Sequence, residues 1–322
     1  MELSVIIVNW NSANYLRACL LSLYRETRGI TFEVIVVNND SHDDCKRILQ
    51  EFPTVNLIEA GENLGFARAN NLGYSRSNGE VLLFLNPDTE IIGDELARMA
   101  AHLRSHSTVG AVGARLLNSD GSLQTSCVQA FPTVWNQLLD FEFLRRLFPT
   151  WRVWGMRALF DGQPPDADAV SGACLMVKRS VFEVAGRFDE EYFMYADDLE
   201  LCYKIRQAGY TVHCANDCQV IHHGGKSSAQ QADSFSGVLQ RESFALFFRK
   251  TRGAWYCGAY RVAMTAIALI RLSTVICFFL FAGARPLQGK APRSVFRKWS
   301  RILGWALGFK KWPRGAGSPT GS

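Results

Sequence analysis

Residues 82–89 read LLFLNPDT. The apolar run stops at Asn86-Pro87-Asp88, because a proline cannot donate to a strand ladder. An uninterrupted apolar run of this length reads as a strand buried on both faces, the usual pattern in parallel sheets. Outward from it, similar runs lie at 3–8, 32–37, 55–59, 109–116 and 169–177, with shorter ones at 211–214 and 219–222. Helical spacing marks 11–25, 43–52, 66–77, 93–105, 180–186 and 197–208. Strands alternating with helices predict an α/β fold: a Rossmann-like, mostly parallel sheet flanked by helices. Residues 130–165, rich in Trp, Phe and Pro, read as irregular, and MELSVIIVNW at the start reads as a strand and not as a signal peptide.

In open α/β sheets ligands bind beyond the carboxyl ends of the strands. Four polar stretches fall at those ends: Val8-Asn9-Trp10-Asn11, Asn38-Asn39-Asp40-Ser41, Glu62-Asn63-Leu64-Gly65 and Asn86-Pro87-Asp88. Any one of them is explained as a turn, since Asn, Asp and Gly favour turns. All four at one topological position define a cleft. Asp88 is the carboxylate of the fourth stretch, and one carboxylate is enough for a hard cation that completes its shell with other oxygens.

A second acidic site lies in YFMYADDLELC at 192–202. Asp197 can cap a helix, with Glu200 completing a capping box. Asp198 then occupies the first helical position, where a carboxylate can act as general base toward a hydroxyl. Capping alone is the competing structural explanation, supported by the preference of acidic residues for helix N-termini.

The charge is divided along the chain. Residues 1–240 carry 20 Lys+Arg against 29 Asp+Glu, a balance of −9. Residues 241–322 carry 15 Lys+Arg against the single Glu242, a balance of +14. A basic tail on an acidic domain points to an anionic partner. Apolar segments in the same tail favour a membrane surface over nucleic acid. Residues 262–283, VAMTAIALIRLSTVICFFLFAG, have the length of a bilayer span. Their central Arg271 costs ~2.5–3.5 kcal/mol on an insertion scale. Residues 295–312 mix Arg and Lys with Phe and Trp, as interfacial helices do. The expectation is peripheral association with the cytoplasmic face of the cell membrane. A single span, packing on the chain's own domain, and a homodimer are the alternatives. The organisation predicted is a catalytic domain over 1–240, a membrane-associating helical region over 241–312 and a disordered tail over 313–322. Nine scattered cysteines read as free thiols of a reducing compartment. The Cys214, Cys218, His222 spacing lacks a fourth zinc ligand.

Taken together, LLFLNPDT, YFMYADDLELC and ENLGFARANNLG at 62–73 resemble the inverting nucleotide-sugar glycosyltransferases of family 2, over roughly residues 2–250. SGACLMVKRSVFEVAGRFDE at 171–190 and VIHHGGKSS at 220–228 extend the resemblance. It implies a GT-A fold, a metal-dependent transfer (Mg²⁺ or Mn²⁺) from a UDP- or dTDP-sugar, and an acceptor hydroxyl on a growing glycan, free or lipid-linked. It implies Asp198 as base with Asp197 as its orienting partner, and Asp88 with His222 as metal ligands, His223 being the alternative histidine. It assigns nucleotide binding to Val8, Asn9, Trp10, Asn38, Asp40, Asn63, Gly65, Asn70 and Asn86. Gly65 is expected to let the backbone approach the ligand closely. Asn38 stands where the family usually has Asp, with Asp40 to compensate. Asn86 stands where the family's metal motif has its first Asp. Ala69-Asn70-Asn71 replaces the usual Arg-Asn pair and resembles the rhamnosyltransferases of cell-surface polysaccharide assembly. The Asn38 and Asn86 departures keep open a nucleotide-sugar-binding scaffold without catalysis. A nucleotidyltransferase would show a glycine-rich basic loop after the first strand, and VNWNSANYL has none.

Overall fold

The computed structural model describes residues 1–139, 147, 148, 151, 166–224, 233–282 and 292–309. The strands are β1 (Leu3–Asn9), β2 (Phe32–Asn38), β3 (Val55–Glu59), β4 (Val81–Leu85), β5 (Thr89–Ile91), β6 (Val109–Leu117), β7 (Val128–Gln129), β8 (Ala169–Val170), β9 (Cys174–Lys178) and β10 (Thr211–His222). The helices are α1 (Ala13–Glu26), α2 (Cys45–Leu49), α3 (Gly65–Tyr74), α4 (Glu95–Ser105), α5 (Val134–Leu138), α6 (Arg179–Val184), α7 (Asp197–Gln207), α8 (Asp233–Ala282) and α9 (Pro292–Ala306).

Eight strands form one sheet in the order β3-β2-β1-β4-β9-β6-β10-β5. The β3-β2-β1-β4 half is parallel, as its apolar runs predict. β9 enters antiparallel between β4 and β6, so the sheet is mixed. The single strand expected over 169–177 is two, because the turn at Gly172 sends β8 to pair with β7 in a small ribbon. The strands expected at 211–214 and 219–222 are one, β10, with an irregularity between Ala215 and Gln219 against β6. Three residues beyond Pro87, unread in the sequence, form β5 and run antiparallel to β10, placing Thr89 opposite His222. That pairing brings the end of the LLFLNPDT segment beside the end of β10.

Leu82, Leu83 and Phe84 of β4 are wholly buried. The Phe84 ring lies 4.7 Å from that of Phe188 and 5.1 Å from that of Phe182. Truncating such a residue to alanine typically costs ~3–5 kcal/mol. α1 begins at Ala13, two residues later than expected, where the Asp43 carboxylate accepts the Ala13 N–H at 2.7 Å. Its Leu16, Leu20 and Leu23 face the core, while Leu21 is exposed. α3 packs on β1 and β2, and α4 on β6, β9 and β10.

Position 240 falls inside α8. Gly253, at φ 85° and ψ 173°, breaks that helix into two arms. The first arm belongs to the domain: Phe247 and Phe248 are buried, and Ser243 Oγ donates to the Met194 carbonyl at 2.7 Å. The second arm holds the apolar segment and is covered on one side by α9. There Trp305, 1% exposed, stacks near Tyr260 and donates its indole N–H to Glu242. Arg271 lies over the Trp299 ring. Other apolar side chains of the second arm face outward: Trp255 is 94% exposed, Val262 71% and Ile270 64%. By length and composition α8 is long and apolar enough to cross a membrane. The region expected to be disordered, 313–322, and most of the expected irregular region lie outside the described residues.

Candidate active site

The carboxyl ends of β1, β2 and β4 open into a cleft of about 350 Å³. Val8, Trp10, Asn63, Gly65, Asn86, Asp88, Asp197, Asp198 and His222 line it together. These come from five separate stretches of sequence, brought to one rim by the strand order.

Asp88 is 2% exposed, and its Oδ1 lies 3.3 Å from His222 Nε2. The Asn86 amide nitrogen is 3.3 Å from the same ring nitrogen. His223 points elsewhere: its ring nitrogens meet Glu90 and Ser119, both at 2.7 Å. Among the described residues no group of three or more His, Cys, Asp or Glu gathers as a metal cage. Asp88 Oδ1 and His222 Nε2 stand side by side, and this oxygen and imidazole nitrogen are donors that could hold a divalent ion such as Mn²⁺ or Mg²⁺.

Opposite them stands the acidic pair. Asp197 does not cap α7. Ala196, in a left-handed conformation at φ 58°, holds the N-cap, so Asp197 and Asp198 are the first and second helical residues. Glu200 makes no capping box and lies 3.0 Å from Lys204. Asp198 accepts N–H groups on both oxygens, from Gly172 at 2.9 Å and from Leu199 at 2.8 Å. Asp197 is buried; its Oδ1 accepts the Asp198 N–H at 3.0 Å, and its Oδ2 has no hydrogen-bond partner among the described residues. Burial, and then the Asp198 charge, raise the Asp197 pKa. Burial also raises that of Asp198, opposed by the two N–H groups. Two adjacent carboxyls in a dry site do not both ionise easily. The one with two N–H donors is the better place for the charge, and that is Asp198.

The other expected nucleotide-binding residues do not line the cleft. Asn38 is buried, donating to Glu59 at 2.9 Å and accepting from the Ser41 N–H at 3.2 Å. Asn9 is buried and bonded to Ser12 and Ser41. Asn70 turns back on the Phe66 carbonyl at 3.0 Å, and Asp40 is exposed at φ 58°. The rim residue that does face the cleft is Asn39, which also ties the second loop to the third through Asn63 and Leu64. Gly65 lines the cleft and also makes a close approach to the loop before the acidic pair. A Cβ there would lie 2.2 Å from the Phe193 carbonyl oxygen.

Residues 4–185 match the profile of Glycosyl transferase family 2. The chain belongs to that family. The matched region of this glycosyltransferase contains the four rim loops and ends before Asp197. The low-salt glycan biosynthesis hexosyltransferase Agl10 of Haloferax volcanii is 28% identical over 68% of this chain and 66% of its own length. The N-acetylglucosaminyl-diphospho-decaprenol L-rhamnosyltransferase of Mycobacterium tuberculosis is 25% identical over 79% of this chain and 86% of its own. Among solved structures, the mannosyltransferase PcManGT of Pyrobaculum calidifontis, in complex with GDP-Man and Mn²⁺, aligns with a TM-score of 0.56 and 18% identity. It covers 95% of this chain and 86% of its own. That likeness establishes the GT-A fold.

Gly172, Tyr195, Gln240 and Phe244 also line the cleft and were not singled out by sequence for that role. Tyr195 and Ala196 have positive φ without being glycine, a conformation no residue preference announces.

Proposed function

We propose that this enzyme transfers a sugar, with L-rhamnose first to be tested, from a UDP- or dTDP-activated donor with inversion. The acceptor is a hydroxyl of a growing lipid-linked glycan at the cytoplasmic face of the membrane. The observation that carries the reading is the placement of Asp198 in the same cleft as Asp88 and His222. Asp198 takes the proton of the acceptor hydroxyl as that oxygen attacks the anomeric carbon from the face opposite the leaving diphosphate. Its two N–H donors favour the ionised form against the burial that raises its pKa. Asp197, protonated and buried behind it, supplies position through the Asp198 N–H. Asp88 and His222 would hold the divalent ion, which when bound neutralises charge developing on the departing nucleoside diphosphate.

The acceptor class rests on the mycobacterial relative's name and on the tail. Exposed Trp255, Val262 and Ile270 beside a +14 excess of charge favour an anionic lipid surface. Arg271, drawn onto Trp299 of α9, favours a helical hairpin lying on the membrane over a span.

The test is a donor panel. Full-length protein, a polyprenyl-diphosphate-linked N-acetylglucosamine acceptor and Mn²⁺ are incubated with UDP- and dTDP-sugars, and released nucleoside diphosphate is measured. One donor should turn over, and chelator or Asp88→Ala should abolish the release. Nucleotide binding without turnover of any donor would favour the non-catalytic scaffold.

A further inference from the structure

We propose that Gln124 is a positioning residue: it fixes which nitrogen of His222 carries the proton, so that Nε2 meets the divalent cation as a bare lone pair. The inference rests on the reading of Asp88 and His222 as the cation's ligands.

The argument is a chain of hydrogen bonds whose direction is set at one end. Asp120 lies in the turn after β6, and its carboxylate can only accept. Ser122 donates to it through both its N–H, at 3.0 Å, and its hydroxyl, at 2.6 Å. With its proton committed, Ser122 Oγ accepts from the Asn118 amide at 2.9 Å. That fixes the Asn118 side chain, whose oxygen accepts from Gln124 Nε2 at 3.0 Å. Gln124 Nε2 also faces the His222 carbonyl at 3.4 Å, so both neighbours of that nitrogen are acceptors. Gln124 Oε1 is therefore the atom turned to His222 Nδ1, at 2.6 Å, and Nδ1 must donate. Nε2 of the neutral ring is left with its lone pair, and the Asn86 amide nitrogen, 3.3 Å away, is placed to donate to it.

The consequence appears at Asp88. Its Oδ1 is 3.3 Å from that Nε2. Two electron-pair donors facing each other repel, and a cation between them is stabilised by both. With the proton on Nε2 instead, the ring would donate to Asp88 and close the site to metal. The turn holding the relay is built into the backbone: Asn118 N–H bonds the Ser122 carbonyl at 2.8 Å, and Gln124 N–H bonds the Leu116 carbonyl at 2.9 Å. β6 and β10 are paired at Leu117 and Ile221, so the turn after β6 sits beside His222 at the end of β10. Partners of this kind commonly fix ring orientation and tautomer at metal-bound histidines.

The test reads the proton first. Full-length protein labelled with ¹⁵N-histidine, metal-free and at alkaline pH, gives the His222 tautomer from its ring-nitrogen resonances, assigned with His222→Gln. Wild type and Gln124→Glu should carry the proton on Nδ1; Gln124→Leu should carry it largely on Nε2. Electron paramagnetic resonance of free Mn²⁺, with UDP or dTDP present, gives affinity. Gln124→Leu should bind ~10–100-fold more weakly, and Gln124→Glu within about threefold of wild type. Gln124 is partly exposed, and unchanged melting of Gln124→Leu separates positioning from misfolding, whereas Gln124→Glu sets an oxygen against the Asn118 and His222 oxygens and should melt somewhat lower. An unmoved tautomer, or wild-type Mn²⁺ affinity in Gln124→Leu, overturns the relay alone. Wild-type protein that binds no Mn²⁺ with either nucleotide overturns the metal reading and the relay with it.

Discussion

Gly65→Ala separates a local backbone cost from a catalytic one. Gly65 has φ 76°, and an added Cβ would lie 2.2 Å from the Phe193 oxygen and 2.8 Å from the Phe193 ring. Holding an L-residue in the left-handed region costs roughly 1–2 kcal/mol. Relieving the contact means moving one segment by about an ångström, which also breaks the 2.7 Å bond from Phe66 N–H to the Phe193 carbonyl. A bond of that kind contributes ~0.5–1.5 kcal/mol. The loss of stability should be about 1.5–3.5 kcal/mol. The larger effect falls on rate, because Phe193 lies four residues before Asp197. A displacement of ~1 Å in a reacting group costs on the order of 10²-fold. Gly61→Ala is the control. It has φ 75°, but a Cβ there meets nothing within 4 Å, so it should lose only the conformational increment and keep its turnover. Stability comes from denaturant unfolding, and turnover from nucleoside diphosphate release at saturating donor. If Gly65→Ala and Gly61→Ala behave alike in both assays, the third rim loop does not hold the base loop and the reasoning fails.

Asp198→Asn keeps the shape and loses the proton acceptor, so turnover should fall ~10²-fold or more with little change in nucleotide affinity. If Asp197→Asn is the crippled variant and Asp198→Asn is near normal, the roles within the pair are reversed. Asp197→Asn should gain stability over wild type as pH rises from the unfolded carboxyl's value near 3.8 toward the raised folded one, by at most about 1.4 kcal/mol per unit. The sign follows because folded Asp197 keeps a proton that the unfolded chain releases; a difference that stays flat through the neutral range would contradict it. Replacing Trp255, Val262 and Ile270 together by serine should weaken flotation with anionic liposomes by on the order of 10²-fold, while melting is unchanged. Wild-type protein that ignores such liposomes refutes the membrane reading.

Much of the fold was legible because strands buried on both faces must be apolar throughout. Leu82, Leu83 and Phe84 announce β4 for that reason. The same uniformity conceals direction, so nothing in ACLMVK states that β9 runs antiparallel to its neighbours. β5 has three residues, too few for a periodicity. Yet its pairing decides that His222 and not His223 faces Asp88, since neighbouring strand residues point to opposite sides. At the site, residue type revealed the carboxylates but not their helical positions. Those depend on Ala196 adopting a left-handed backbone, which alanine does not favour. The family resemblance assigns Asn38 to the nucleotide, and its side chain here bonds Glu59 and the Ser41 N–H, partners that residue type alone does not reveal.

Two consecutive non-glycine residues with positive φ, Tyr195 and Ala196, lead directly into the acidic pair. Each costs energy, and such geometry persists only where surrounding contacts over-determine it. The contacts come from both sides. The third rim loop grips Phe193 through Phe66 N–H and the missing side chain of Gly65. The first arm of α8 grips Met194 through Ser243, while Lys250 pairs with Asp189 and Glu191 at the loop's start. The exposed ion pairs add little individually. The buried serine and the glycine contact hold the turn. The loop that presents Asp198 is thereby clamped between the third rim loop and a helix whose other arm, beyond Gly253, carries exposed apolar side chains. The first arm of that helix lines the cleft through Gln240 and Phe244. In the proposed function, membrane attachment and base placement would share one structural element, with Gly253 at the joint between its two arms.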